Sequence, residues 1–402
     1  MDSLYKDGCP VCAGKPKEVY HSPGLTKMVE RVLRRIQGGF DVEHKIDPDL
    51  FTDSCTALNE AVDRAVKLSV KWGKPDKGFI QELKRNNAVF AAFKAHREQN
   101  DLAGLLVDDD GNARSFDSFR MAAAPVIGEY NVNWLQTEYA TAVRVARTAV
   151  RFKQYEKDGD LYPNGEWLPS RAAEPRMSHR KYYHTVRRLT DPWWETHYPG
   201  CVWGCQCDMR NTDKPITHIG DNPAAPGAEP TTVPPSEEAG VRSPGLSRNP
   251  ARSGELFSRD HPYFTSAYPG AEKAVAKKMQ TIDVKQARKE VQEWAKREVV
   301  GKSFLNQEIG KEIEVTSTGI KEALNQPHKY IREKNEAIRN IKQIIHEAHR
   351  VLYRPDDKGN QMVVGYHYLE FELAGEKSYI VIRETKDGRL MFYSVVDKIK
   401  GR

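Results

Sequence analysis

The residues with the clearest capacity for chemistry are the cysteines and histidines near position 200. His197, Cys201, Cys205 and Cys207 fall within an eleven-residue stretch, although the whole chain of 402 residues contains only six cysteines. Cys205 and Cys207 are too close in sequence to complete a tetrahedral site alone, but they can supply two thiolates to a shared metal ion. The spacing therefore predicts a metal site, and zinc is the ion that such ligands favour.

A second cysteine pair lies near the N-terminus, in the sequence Cys9-Pro-Val-Cys12. Two cysteines separated by two residues form the tight turn of a zinc knuckle. We therefore predict a structural zinc ion. Its first-choice ligands are Cys9, Cys12, Cys205 and Cys207, and its alternative ligands are His197 and Cys201. The other interpretation is that these cysteines are reduced thiols buried beneath the tryptophans of the same segment.

Composition and charge limit the compartment and the partners. The chain is 39% hydrophobic and 29% charged, with a formal net charge of +6, which permits contact with nucleic acid or an acidic protein surface without requiring it. No apolar run is long enough to cross a bilayer, and the first residues lack the apolar core of a signal peptide. We therefore expect no membrane partner and a cytoplasmic location, where cysteines serve as thiols or metal ligands.

The part of the chain before residue 213 is expected to be mainly helical. Apolar residues recur at helical spacing in segments 26–37, 48–70, 79–97, 116–126 and 134–157. The last of these helices carries Arg144, Arg147, Arg151 and Lys153 on its polar side, which is either a solvated face or a contact surface for an anionic partner. Residues 158–191 are polar and without clear periodicity, so we predict an irregular, cysteine-rich knot there and up to residue 213.

A change of composition marks the expected domain boundary. From 214 to 255 the residues Pro, Ala, Gly, Ser, Thr and Glu dominate, which indicates a flexible linker. Residues 256–310 are expected to form a helical connector with a charged helix at 281–299. In residues 311–402 we predict a strand at 312–317, helices from 318 and at 331–352, and strands at 361–373, 377–385 and 389–396. Helices followed by hairpin-linked strands indicate a small α+β domain with an antiparallel sheet.

The central helix and the cysteine-rich ending together resemble the closing half of phage minor head proteins of the Mu F-like family. The resemblance lies in the Tyr-, Ala- and Arg-rich helix, a basic segment, and the ending Asp191-Pro-Trp-Trp-Glu-Thr-His-Tyr-Pro-Gly-Cys-Val-Trp-Gly-Cys-Gln-Cys207. It implies that residues 1–213 form a minor head domain of a virion, acting in capsid morphogenesis at the portal vertex. The implied partners are the portal protein, the major capsid protein and packaged DNA. Pro175-Arg176-Met177-Ser178-His179 is the nearest match to a family element of the form Asp-x-Arg followed by His.

Residues 311–402 resemble, in pattern and order, the phage-associated barnase/EndoU/colicin/RelE-like nucleases. The resemblance implies metal-independent cleavage of host RNA, which needs a base for the 2′-hydroxyl proton and cations for the phosphate. His346 and His349, three apart on the predicted helix, would be base and acid, and Arg383 would stabilise the phosphate. Further candidates are Tyr379, Tyr393, Lys321 and Glu322. The alternative is that this domain is an inactive binding module.

Overall fold

The computed structural model describes residues 4–5, 20, 22, 24–69, 76–172, 175, 177–217, 242–357 and 359–399. Cys9 and Cys12, which the sequence suggested as metal ligands, lie outside the described residues. The chain divides into two compact units, Met1–Lys278 and Met279–Arg402, here called unit 1 and unit 2. None of the described helices is both long and apolar enough to cross a membrane.

Unit 1 is built around a group of long helices. They are α1 (Leu25–Gln37), α2 (Pro48–Ser69), α3 (Lys77–Ala103), α4 (Phe116–Gly128) and α5 (Leu135–Lys157). A π-helical turn, Glu129–Trp134, joins α4 to α5. These bounds confirm the helices expected from apolar periodicity.

Helix α2 lies against both α3 and α5. Its buried residues recur every three or four positions and include Leu50, Leu58, Ala61, Val62 and Ala65. This spacing puts them on one face of the helix, where they are removed from water. The mainly helical character expected for this part of the chain is therefore observed.

A small antiparallel sheet follows α5. Its strands are β1 (Asn164–Leu168), β2 (Val186–Arg188) and β3 (Asp208–Thr212), in the order β2-β1-β3. Gly165 is required at the centre, because an added Cβ would lie 2.9 Å from Cζ2 of Trp194. The region is thus more regular than expected, and its strands were missed because each is only three to five residues long.

Residues 242–265 pack against the earlier part of unit 1, in contrast to the linker expected up to residue 255. The amide of Asn249 donates to the carbonyl of Trp194 over 2.8 Å, and the indole of Trp203 donates to the carbonyl of Pro244 over 3.1 Å. Two short helices, α6 (Pro250–Ser253) and α7 (Pro262–Thr265), begin with capping side chains at Asn249 and His261. The composition was misleading because Pro, Ser and Gly here form caps and turns of a packed segment.

Unit 2 is a six-stranded sheet covered by helices on one face. Helix α8 (Ala271–Glu298) runs into this unit, and the strands that follow are β4 (Ser303–Asn306), β5 (Lys311–Val315), β6 (His349–Pro355), β7 (Val363–Leu373), β8 (Glu376–Thr385) and β9 (Leu390–Val396). Their order is β4-β5-β9-β8-β7-β6, antiparallel except for the parallel pair β5 and β9. The expected α+β fold with a mainly antiparallel sheet is therefore confirmed. The sheet has six strands, whereas four were predicted from the sequence.

The helices of unit 2 are α9 (Ser317–Asn325), α10 (Ile331–Ala337) and α11 (Ile341–Glu347). Ile341 and Ile345 share one core with Ile380 and Ile382 of β8. The single helix predicted at 331–352 is wrong, because a 3₁₀ turn divides it and the chain enters β6 at His349. The side chain of Asn306 accounts for this ending, since it donates to the carbonyl oxygens of Ile345 and Ala348.

Candidate functional site

A cluster of one histidine and two cysteines forms the most concentrated group of metal-ligand atoms among the described residues. Nδ1 of His179 lies 3.5 Å from Sγ of Cys205 and 3.7 Å from Sγ of Cys207. A tetrahedral zinc ion with ordinary Zn–S and Zn–N bonds would hold such atoms about 3.6 Å apart. Both nitrogen–sulfur separations therefore suit a zinc ion, and the three ligand atoms all lie within 4.8 Å of one another.

The polypeptide around the cluster is arranged to bring these side chains together. His179 lies in a short helical turn, Met177–Arg180, and its ring meets that of Trp167 on β1 edge to face, with centroids 5.6 Å apart. Cys205 and Cys207 precede β3, which pairs with β1. The backbone N–H of Cys207 donates to Sγ of Cys205 over 3.5 Å. This hydrogen bond favours the thiolate form of Cys205.

Electrostatic interactions within the cluster favour a negative charge on Cys205 and a positive charge on His179. A hydrogen bond with Cys207 lowers the pKa of Cys205 well below its ordinary value, against the effect of burial, and His179 adds to the lowering. Burial opposes a charge on His179, but Cys205 and Cys201 raise its pKa well above its ordinary value. The metal-free cluster therefore favours a Cys205 thiolate beside a protonated imidazole, and a bound cation would displace that proton.

The other predicted ligands occupy different positions. Sγ of Cys201 lies 3.8 Å from Nε2 of His179, on the opposite nitrogen from the cysteine pair. Cys201 is thus in contact with the imidazole without belonging to the group of three ligand atoms that lie within 4.8 Å of one another, and it can orient the ring from behind. The ring of His197 instead stacks on Trp193 with centroids 4.8 Å apart, and its Nδ1 lies 2.9 Å from the hydroxyl of Thr196.

His179 was not among the ligands predicted from the sequence. It is distant from the cysteines in sequence, so spacing rules for metal motifs do not reach it. The available signal was its place in Pro175-Arg176-Met177-Ser178-His179, the nearest match to the Asp-x-Arg and His element of the Mu F-like proteins. That element was noted without being connected to the cysteines.

A cavity of about 170 Å³ opens beside the cluster and is lined by Cys205, Cys207 and several arginines. Arg144, Arg147 and Arg171 line it together with one carboxylate, Asp208. Arg151, also expected on the polar face of α5, is instead buried and donates to Asp208 over 2.6 Å. Because one carboxylate faces several guanidinium groups, the cavity has an excess of positive charge.

In unit 2 the structure separates the residues that were predicted to form a nuclease site. Nδ1 of His346 lies 3.2 Å from the carbonyl oxygen of Leu305 on β4. His349 does not share its helix face, because it opens β6, where it is exposed with Nδ1 3.3 Å from the carboxylate of Glu308. The expectation of a histidine pair on one helix is therefore wrong.

Arg383 lies on the other side of the sheet from the helices. It alternates along β8 with Ile382, which is in the core shared with the helices, so its side chain belongs to the opposite face. There its guanidinium lies 4.1 Å from the ring centroid of Tyr393. Since β5 and β9 separate β8 from β4, the structure does not bring Arg383 and His346 together.

The remaining candidates of unit 2 are dispersed. Tyr379 lies on β8 in alternation with Ile380, on the same face as Arg383. Lys321 is exposed on α9, and Glu322 beside it accepts a hydrogen bond from Gln326 over 2.6 Å. These positions supply no shared cleft for an acid, a base and a cation.

Two comparisons with known proteins give matches. Residues 282–393 match the family described as Large polyvalent protein-associated domain 3 (LPD3). The chain is also 30% identical over 106 residues to the protein named "Putative capsid assembly protein F" of Escherichia phage Mu. That alignment covers 26% of this chain and 22% of the Mu protein, so the chain spans much less than two thirds of that relative. No solved structure matches significantly.

The comparisons support the resemblance to phage head proteins in a coarse form. The chain is similar, over about a quarter of its length, to a phage capsid assembly protein. The region resembling nucleases in its pattern, residues 311–402, instead overlaps the LPD3 match over residues 311–393.

Proposed function

We propose that this protein acts in phage head assembly, as a minor head component at the portal vertex. The observation that carries the proposal is the similarity to the capsid assembly protein of phage Mu. Within unit 1, the long helices are followed by a tryptophan- and cysteine-rich segment, and this supports the proposal because the order of features is the one that the Mu F-like resemblance implies. The portal protein and the major capsid protein would be its partners.

The cysteine-histidine cluster would give this unit a structural zinc centre. His179, Cys205 and Cys207 would hold the ion, and Cys201 or the Cys9 and Cys12 pair would complete the set. A closed site of this kind stabilises a fold by joining distant segments and contributes no catalytic step. Here it would join the turn that holds His179 to the loop that precedes β3.

The arginine-lined cavity would supply a contact for an anionic group of the assembling head. Guanidinium groups match carboxylates and phosphates with paired hydrogen bonds. Arg147 and Arg171 lie 3.8 and 3.4 Å from Asp208, so an incoming anion would compete with that carboxylate. Packaged DNA and an acidic loop of the portal protein both meet this chemistry.

Loss of the gene tests the head-assembly role. A phage or prophage deleted for this chain should make few DNA-filled heads, counted by electron microscopy, and the wild-type gene should restore them. The Cys205→Ser, Cys207→Ser double variant should restore them poorly, whereas Cys55→Ser, at a free thiol outside the cluster, should restore them fully. Normal head numbers without the gene would refute the role.

A second candidate is RNA cleavage by unit 2, with host RNA as substrate. The α+β architecture, with helices on one face of an antiparallel-dominated sheet, supports the resemblance that suggested it. The separation of His346 from Arg383 favours the alternative, in which unit 2 is a binding module carried by a head protein. We take the binding module as the better supported of the two.

A further inference from the structure

Unit 2 contains a groove that the head-assembly role does not use. It has a volume of about 700 Å³ and runs between strand β4 and α11 with the turn that precedes this helix. Ser303 and Leu305 line the strand side, and Arg339, Lys342 and His346 line the helix side. Leu305 is 48% exposed, although it is a large apolar residue.

Strand β4 forms an edge of the sheet, so one side of its backbone is not paired with another strand among the described residues. It pairs with β5 alone among the described strands. The carbonyl of Lys302 accepts from the N–H of Val315, and bonded pairs alternate along an antiparallel ladder. Ser303 and Leu305 therefore turn their peptide groups toward the groove.

The contact made by His346 agrees with this direction of the Leu305 peptide group. Its Nδ1 lies 3.2 Å from the carbonyl oxygen of Leu305, which requires that this carbonyl point away from β5. Exposed edges of this kind accept an added strand, and proteins normally cover or charge them. In the described residues, this edge is bordered by the groove, and an added strand would replace the contact with His346.

The charge of the groove selects the kind of strand that it would accept. Arg339, Lys342 and His346 line the groove, and none of its lining residues is acidic. Glu336 is the carboxylate that pairs with Arg339, at 2.9 Å. The lining therefore has a net positive charge that favours an acidic segment.

We propose that the groove between β4 and α11 binds an extended acidic segment of a partner protein, which adds a strand to β4. A strand rises about 3.3 Å per residue, so four residues of β4 would pair with a segment of four or five residues. A peptide is favoured over nucleic acid because Phe304, the aromatic residue of the lining, is partly buried against the core, which leaves little of its ring for base stacking. The inference rests on the binding-module alternative and is independent of the head-assembly role.

The test uses the full chain and a fluorescein-labelled peptide, Glu-Val-Glu-Val-Glu, with binding followed by fluorescence anisotropy. Valine favours the extended conformation, and glutamate supplies the charge. We expect saturable binding that weakens at least tenfold in the Lys342→Glu variant. The matched control, Lys321→Glu, changes an exposed lysine outside the groove and should bind as the wild type does.

Changes to the probe separate strand addition from simple charge attraction. The same peptide with methyl groups on alternate backbone nitrogens keeps its charge but loses donors to the edge, so one of the two methylation registers should abolish binding. Equal binding of the parent and both methylated peptides would overturn the proposal. Absence of binding by the parent peptide at millimolar concentration would also overturn it. So would a competition experiment in which an RNA oligonucleotide binds the groove with higher affinity than the peptide and loses that affinity in the Lys342→Glu variant.

Discussion

Nδ1 of His179 lies 3.5 Å from Sγ of Cys205, although 26 residues separate them in sequence. The contact closes a loop that contains β2 and three of the buried aromatic residues of unit 1, Tyr182, Trp194 and Tyr198. A metal ion at this point would hold both ends of that loop, so the stability of the segment would depend on the metal.

The first prediction concerns the metal content. The purified chain should carry one zinc ion, measured by elemental analysis, because Nδ1 of His179 already lies at zinc-binding separations from both sulfur atoms. His179→Ala and the double variant Cys205→Ser, Cys207→Ser should each lose it, and Cys55→Ser should keep it. Removal of zinc by a chelator should lower the thermal unfolding temperature of the wild type and leave the cysteine variant unchanged.

The fourth ligand is identified by the same measurement. If Cys201→Ser loses zinc while Cys9→Ser with Cys12→Ser retains it, Cys201 completes the site. The reverse result assigns the N-terminal pair. A wild-type chain with well under one equivalent of zinc would refute the metal centre and leave the interpretation of buried reduced thiols.

The helices and the later strands were accessible from the sequence because their apolar residues follow regular periods. The buried stripe of α2 and the turns Ala374-Gly375 and Asp387-Gly388 are local signals, and both gave nearly the observed bounds. The sequence also indicated two of the three clustered ligands, Cys205 and Cys207, through their spacing.

Features that depend on tertiary contact were not accessible. His179 reaches the cysteines through the pairing of β1 with β3, and that register has no local signature. The helix predicted at 331–352 ends early because Asn306, from a different strand, binds its last carbonyl groups. Residues 242–255 have a linker composition, and their tertiary contacts, including those with Trp194 and Trp203, distinguish them from a linker.

The second prediction concerns a buried ion pair in unit 1. Nζ of Lys94 lies 2.6 Å from the carboxylate of Glu138, and both side chains are fully buried. The hydroxyl of Tyr263 also donates to Glu138, over 2.9 Å. Replacing Lys94 leaves a buried negative charge without its partner, which costs about 3–5 kcal/mol of unfolding free energy.

We therefore expect Lys94→Met to destabilise unit 1 strongly in urea unfolding followed by tryptophan fluorescence. The signal is specific because six of the seven tryptophans precede residue 279. The control is Lys84→Met, which breaks an equally short pair with Asp63 at a partly exposed position and should cost at most about 1 kcal/mol. Equal losses in the two variants would contradict this account of the buried pair.

The third prediction concerns pH. Burial raises the pKa of Glu98 to about 8, from an ordinary value of 4.5. Its carboxylate accepts from the amide of Asn131, but Oε2 has no partner among the described residues. The unfolded chain releases this proton near pH 4.5 and the folded chain holds it to about pH 8. Stability is therefore lost as pH rises through this window, by about 1.4 kcal/mol per unit.

Glu98→Gln removes the ionisation and keeps the shape of the side chain. The free energy of unfolding of this variant, relative to wild type, should increase steadily from pH 5 to pH 8 and be constant above that. Glu156→Gln, at an exposed position on α5, should show no such trend. A difference that does not change with pH would show that Glu98 is ionised in the folded protein.

The fourth prediction concerns RNA. Because His346 and Arg383 lie on different parts of unit 2, we expect the purified chain to leave transfer RNA and messenger RNA intact in the absence of metal. Cleavage that is abolished by His346→Ala and also by Arg383→Ala would restore the nuclease proposal. Cleavage that survives both, and survives His349→Ala, would keep an RNase activity but assign it to other residues.

The head-assembly role is tested most directly by quantitative mass spectrometry of purified proheads and finished particles from the phage or prophage that encodes this chain. The account predicts that the protein is present at a few copies per head, in a constant ratio to the portal protein. A role confined to assembly would leave it in proheads and remove it from finished particles. Absence of the protein from both would contradict the account.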